Sequence, residues 1–300
     1  MNRTETGAPR SGYAAYTNTN APEWHWLVVW DLLLNNLATG LFMAAAVAEL
    51  LRPGLFRSSL VWAYPLALVL LLADLLCLVL DLGDPLRFHH MLRVFKLSSP
   101  MSFGTWSLTA FSVPLTAIVA LEAFVVAGLA RPDSEWIRWI HKIAVVVGVL
   151  PAFASAAYKG VLFSTNAQPG WRDARSLGAY LMNSAIMLGV AQLLAISIFL
   201  GQDQALHVTR HALMILVVLN MVPLVLLFWE LLPTLGRTYR PWPIRVGVAA
   251  LAILGFMVPL GMLLTTLARI PTVLAVVLLG VSSLGVRAIL VFLPHHATHA

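Results

Sequence analysis

Several residues able to do chemistry stand inside long apolar runs, where each is costly enough to need a reason. Asp31 lies one turn into WLVVWDLLLNN, and Asn35 follows four residues later on the same helical face. Asp74 interrupts LLLADLLCLVL, Glu122 interrupts VALEAFVV, Tyr158 and Lys159 adjoin in AAYKGVLF, and Arg287 sits in LGVRAIL. Carboxylates in such a setting can exchange protons, and tyrosine and asparagine can hydrogen-bond an oxygen-bearing ligand. Plainer roles compete. Asn35 is also suited to hydrogen-bonding between helices. Arg287 could neutralise Asp74 or Asp31 in a structural pair. Lys159 is expected to snorkel to the membrane surface, and Tyr158 by itself would suit an aromatic belt. Glu49 and Glu230, near the ends of apolar runs, read as interfacial.

The elements that must carry these residues follow from composition. Of 300 residues 60% are hydrophobic and only 11% charged, against about a quarter charged in soluble domains. The chain reads as all-α and polytopic, with eight membrane helices near 27–51, 59–81, 104–130, 140–163, 176–200, 209–233, 244–268 and 271–293. All ten tryptophans fall at or near span ends, as an aromatic belt requires. Prolines 65, 114, 151, 223 and 259 lie within spans and should kink them. Residues 1–23 read as a disordered polar tail, 24–163 and 164–293 as two halves of four spans each, and 294–300 as a histidine-rich tail. The single cysteine, Cys77, excludes a disulfide framework or a thiolate cluster. The net charge of +6 is too diffuse to suggest nucleic acid and suits anionic headgroups or an acidic partner.

An even number of spans puts both termini on one side, together with the 82–103, 164–175 and 234–243 connections. Asp31, Asn35, Asp74, Tyr158 and Arg287 lean to that leaflet, whereas Glu122 and Glu49 lie toward the other. The 82–103 connection is the most elaborate. DLGDP stops a helix, SSP caps and starts the next, and Arg87, His89, His90, Arg93 and Lys96 form a basic cluster between them. The histidines offer no axial pair within the spans. His207, His211 and His141 could approach one another at the far side, which leaves a haem or metal there as a minor alternative.

Four stretches carry a resemblance: EWHW before the first span, DLGDPLRF followed by SPMSFGTW, YKGVLFSTNAQPGW after the fourth, and LGVRAIL in the last. Together they resemble the polysulfide reductase membrane-subunit (NrfD-like) family, quinone-reactive subunits of molybdopterin and iron-sulfur oxidoreductases. The resemblance implies two four-helix bundles without haem. It also implies electron and proton exchange between menaquinone or ubiquinone and a docked iron-sulfur subunit, and through that subunit a molybdopterin catalytic subunit. By motif, Tyr158 would hydrogen-bond a quinone carbonyl. Asp31 stands where some relatives carry a histidine, and would take a proton. Asn35, Arg87 and His89 would complete the pocket, and Arg87, Arg93 and Lys96 would dock the partner. Asp74, Glu122 and Arg287 would extend a proton path. A bacterial inner membrane is implied, with the termini and quinone site on the periplasmic side. The count of Lys and Arg, nine on the termini side and seven on the other, points weakly the opposite way. Two other functions fit the spans and buried acids: an ion-coupled transporter or proton channel, and an anchor with no working quinone site.

Overall fold

A computed structural model describes residues 24–297 except 130, 132–133, 167, 169, 239–240 and 266–267. The proposed disordered tail, 1–23, lies outside the described residues. The described chain is helical: α1 (Trp26–Leu51), α2 (Pro53–Leu80), a 3₁₀ helix (Pro85–Leu92), α3 (Pro100–Val126), α4 (Glu135–Ser164), α5 (Leu177–Phe199), α6 (Asp203–Thr238), α7 (Pro241–Ala252), a π turn (Ile253–Met257), α8 (Val258–Thr265) and α9 (Arg269–Ala297). Among the described residues, eight segments are long and apolar enough to cross a membrane, with α7, the π turn and α8 contributing to one of them. This is a multi-pass membrane protein.

Helix ends depart from the hydropathy estimate for identifiable reasons. Proline at the first position of α2 starts that helix one residue after α1 ends, so Arg57, Ser58 and Ser59 lie within it. Ser99 accepts a hydrogen bond from the Ser102 amide and Pro100 follows it, which fixes the start of α3. Glu230 of α6 caps α5, accepting from the Ser176 amide at 2.8 Å and its hydroxyl at 2.9 Å. The π turn precedes Pro259, whose missing N–H and bulky ring disturb the regular hydrogen-bond ladder there. α9 continues through His295 to Ala297, so the expected histidine-rich tail begins inside a helix.

Buried side chains form two apolar clusters. One joins the start of α1 to α5, α6, α8 and α9; the other joins the rest of α1 to α2, α3 and α4. α1 belongs to both, and 78% of its most apolar stretch is buried, more than in any other span. α1 and α5 touch backbone to backbone: a Cβ on Gly40 would strike the Ala185 carbonyl, and one on Gly189 would strike that of Gly40. α1 is therefore the shared axis of the fold, and Asp31 is on it.

Candidate functional site

The carboxylate of Asp31 forms an ion pair with Lys159 at 2.8 Å, and Lys159 reaches Asp74 at 3.3 Å. The same ammonium donates to the Asp31 carbonyl oxygen at 3.0 Å. Asn35 completes the cluster, donating to the other Asp74 oxygen at 3.1 Å and to Ser155 Oγ at 3.0 Å. Lys159 is 3% exposed and Asp74 fully buried. A long flexible side chain facing inward past two acids gains more from pairing than from reaching the surface. The expectation that Lys159 snorkels is thus overturned. Arg287 is likewise not the partner of Asp31 or Asp74, because Lys159 takes both. Two carboxylates with one ammonium make a unit that is neutral when it holds one further proton.

Above this triad is a cavity of about 300 Å³, lined by Trp24, Val28, Asp31, Leu78, Asp81, Leu82, Met91, Met101, Tyr158, Lys159, Leu162 and Phe163. α1, α2, α3 and α4 all contribute, and Leu82 and Met91 come from the connection after α2. Its wall is apolar and aromatic: Trp24 stacks on Trp171 at 4.7 Å, and Phe163 meets Trp171 edge-on at 4.8 Å. Trp171 is itself fixed by donating Nε1–H to the Leu290 carbonyl. Asp31, Lys159 and Tyr158 supply the polar groups. The Tyr158 ring is packed against Gly104 so closely that a Cβ there would overlap it. Asp81, at the C-terminus of α2, borders the same space. Burial pushes its carboxyl above the usual carboxylate range, the Asp31 carboxylate adds to this, and His25 opposes it.

The family model for polysulphide reductase NrfD matches residues 15–293. The chain belongs to this family. A comparison with curated proteins finds no match.

Within this NrfD-family chain the other predicted site residues lie elsewhere. Arg87 is on the exposed 3₁₀ helix, paired with Asp84 at 2.9 Å, and its side chain is 71% exposed. His89 contacts the Leu86 carbonyl on the same exposed turn. Neither lines the cavity; the connection reaches it through Leu82 and Met91 instead. Arg93 and Lys96 are also exposed, as a docking role would need. Glu122 lines a second cavity of about 430 Å³ with Glu49, Arg57, Tyr64 and His141. There Glu49 accepts from the Tyr64 hydroxyl at 2.6 Å and pairs with His141 at 2.9 Å. That cavity and the one beside the triad share no lining residue, and no residue of the triad lines it. Arg287 is fully buried in α9, donating to the Leu32 carbonyl at 3.2 Å, the Ser283 carbonyl at 2.8 Å and Ser184 Oγ at 3.3 Å. His141 is engaged by Glu49, and His211 contacts the His207 carbonyl of its own helix. Among the described residues no His, Cys, Asp and Glu cluster is arranged to hold a metal.

The sequence alone assigns no site role to Ser155, Asp81, Trp24, Phe163, Met91 or Met101. Ser155 is an isolated hydroxyl in an apolar run and carries no usable signal. Asp81 could have been found from its seven-residue spacing to Asp74, which places both on one helical face.

Proposed function

We propose that the cavity binds the head group of a membrane quinone and that the chain exchanges electrons and protons between the quinone pool and an iron-sulfur subunit docked over the 82–99 connection. The observation that carries this reading is that Asp31, Lys159 and Tyr158 line one apolar cavity. Its volume is at the lower end of the range for small-molecule sites. The Tyr158 hydroxyl, which makes no hydrogen bond to another described residue, would donate to one quinone oxygen. The Asp31 and Lys159 pair would meet the other. Trp24, Phe163 and Leu162 would flank the ring, with Met91 and Met101 toward the connection.

A quinol oxidised here loses two electrons and two protons and leaves as quinone. The electrons would pass to the iron-sulfur partner, and one proton would go to the Asp31 carboxylate. Proton sharing within the triad would let Asp31 return to the ionised form, with Asp74 as the inner acceptor. The second proton would leave toward Asp81 at the cavity border. Arg87, Arg93 and Lys96 would dock the partner and, through it, a molybdopterin catalytic subunit. In this reading the site is periplasmic in a bacterial inner membrane. Family membership supports the role of a quinone-interacting membrane subunit, and the lean of the buried polar residues to one end of the helices supports the place of the site.

The test is quinol-dependent reduction in membranes holding the assembled complex. Asp31→Asn is expected to lower kcat by about a hundredfold, within the range that a positioned acid or base contributes. Tyr158→Phe should raise the quinol KM about tenfold, the loss of one buried hydrogen bond. Normal kinetics in both variants would refute the pocket.

A further inference from the structure

Arg287 is a fully buried cation with no carboxylate in contact among the described residues. Its hydrogen bonds go to backbone and serine oxygens, and its guanidinium lies 5.8 Å from the Tyr180 ring. An uncompensated charge at this depth is costly. Its position is informative. Arg287 Nε donates to the carbonyl of Leu32, and Lys159 Nζ to the carbonyl of Asp31, the preceding residue of α1. Cations from α9 and α4 thus grip consecutive carbonyls of one helix. Among the described residues, Asp31, Asp74, Lys159 and Arg287 are the buried charged side chains toward this leaflet. Two are acids and two are bases.

We infer that Arg287 is a positioning residue and the remote counter-charge of the Asp31–Lys159–Asp74 triad: held one residue beyond Asp31, it offsets the second carboxylate and keeps the triad able to accept a proton from the cavity. The kinetic part of this inference rests on the quinone reading above; the charge balance does not. The titratable groups beside the triad are Tyr158 from α4, Cys77 from α2 and Asp81 after α2, and His25 before α1 lies near Asp81. On the α9 side, among the described residues, Tyr180 of α5 and the Ser184 and Ser283 hydroxyls stand beside Arg287. The two cations bond carbonyl oxygens of adjacent residues on one helix, at 3.0 and 3.2 Å, so Arg287 Nε and Lys159 Nζ are no more than about 10 Å apart. At that distance and an effective dielectric of about 20, a unit charge moves a titration by about one pH unit. Without the cation the carboxylates hold protons more tightly, so activity that needs an ionised acceptor appears at higher pH.

Arg287→Gln removes the charge and keeps an amide donor for the Leu32 carbonyl; Arg287→Lys keeps the charge. In assembled complexes, Arg287→Gln should move the acid limb of the pH–rate profile up by about one unit. That lowers kcat up to about tenfold on this limb, with the quinol KM unchanged, and Arg287→Lys should restore the wild-type limb. Infrared spectroscopy of the purified subunit gives a readout independent of quinone. The protonated-carboxyl band removed by Asp74→Asn or Asp31→Asn should persist about one pH unit higher in Arg287→Gln. An unshifted band, or a band that shifts equally in Arg287→Lys, overturns the inference. So does failure of both variants to fold, which would make the residue purely structural. If the wild-type complex oxidises no quinol while the infrared shift appears, the quinone reading fails and the counter-charge stands.

Discussion

Replacing Lys159 with methionine keeps most of the side-chain volume and removes the charge that holds two acids together. At 2.8 Å and 3.3 Å the ammonium's attractions to Asp31 and Asp74 amount to about 6 and about 5 kcal/mol gross at an effective dielectric of about 20. Desolvation of the three groups offsets most of that. What the variant leaves is two carboxylates at close quarters, with Asn35 as the remaining donor to Asp74. Removing one partner of a buried pair costs about 3–5 kcal/mol. In a chain of this length that lowers the melting temperature on the order of 10 °C. Thermal unfolding in detergent, followed by tryptophan fluorescence, reads the shift. The double variant Lys159→Met/Asp74→Asn has a single acid and should recover at least half the loss. The deficit of the single variant should also shrink on acidification, as one acid takes up a proton. A double variant no more stable than the single one would refute the triad as the source of the effect.

Gly104→Ala would force its new methyl into the Tyr158 ring. The expected result is a loss of about 1–3 kcal/mol in stability from overpacking, together with a higher quinol KM, read by thermal unfolding and steady-state kinetics. Asp81 has a raised folded-state pKa, caused first by burial and then by Asp31. Its contribution to stability is therefore greatest below the ordinary carboxylate pKa and is lost as pH rises toward the folded value. Asp81→Asn should melt higher than the wild type at neutral pH, with the gap closing in acid; a gap independent of pH would contradict that origin.

Spans, their order and the shared height of Asp31, Asp74 and Tyr158 could be read from the sequence because membrane helices must be long and apolar, and because alternating directions fix heights. Asp31 and Tyr158 reached one cavity as their heights and the family motifs implied. Partner choice was not legible. Whether Lys159 turns inward, and whether Arg287 meets an acid, depends on the rotation of α4 and α9 about their axes, which hydropathy does not encode. Arg87 and His89 misled for a related reason. Proximity in a loop says nothing of which side of a 3₁₀ turn faces the cavity, and there the apolar Leu82 and Met91 turn inward. Glu122 is readable from the sequence as an acid within the third span, toward its far end. Its company of Glu49, Tyr64 and His141 joins α1, α2, α3 and α4 and leaves no pattern along the chain.

The glycine contact between α1 and α5 has a mechanical consequence. Gly40 and Gly189 put main chain against main chain, and Asn36 and Gln192 tie across to the Leu181 and Leu37 carbonyls at 2.8 and 3.0 Å. A seam of touching main chains with hydrogen bonds beside it leaves little slack for pivoting. Cycles that open a protein first to one compartment and then to the other need such slack. On the proposed quinone reading, the acid on α1 would keep its depth through turnover, and the distance an electron covers from this site would be set at assembly.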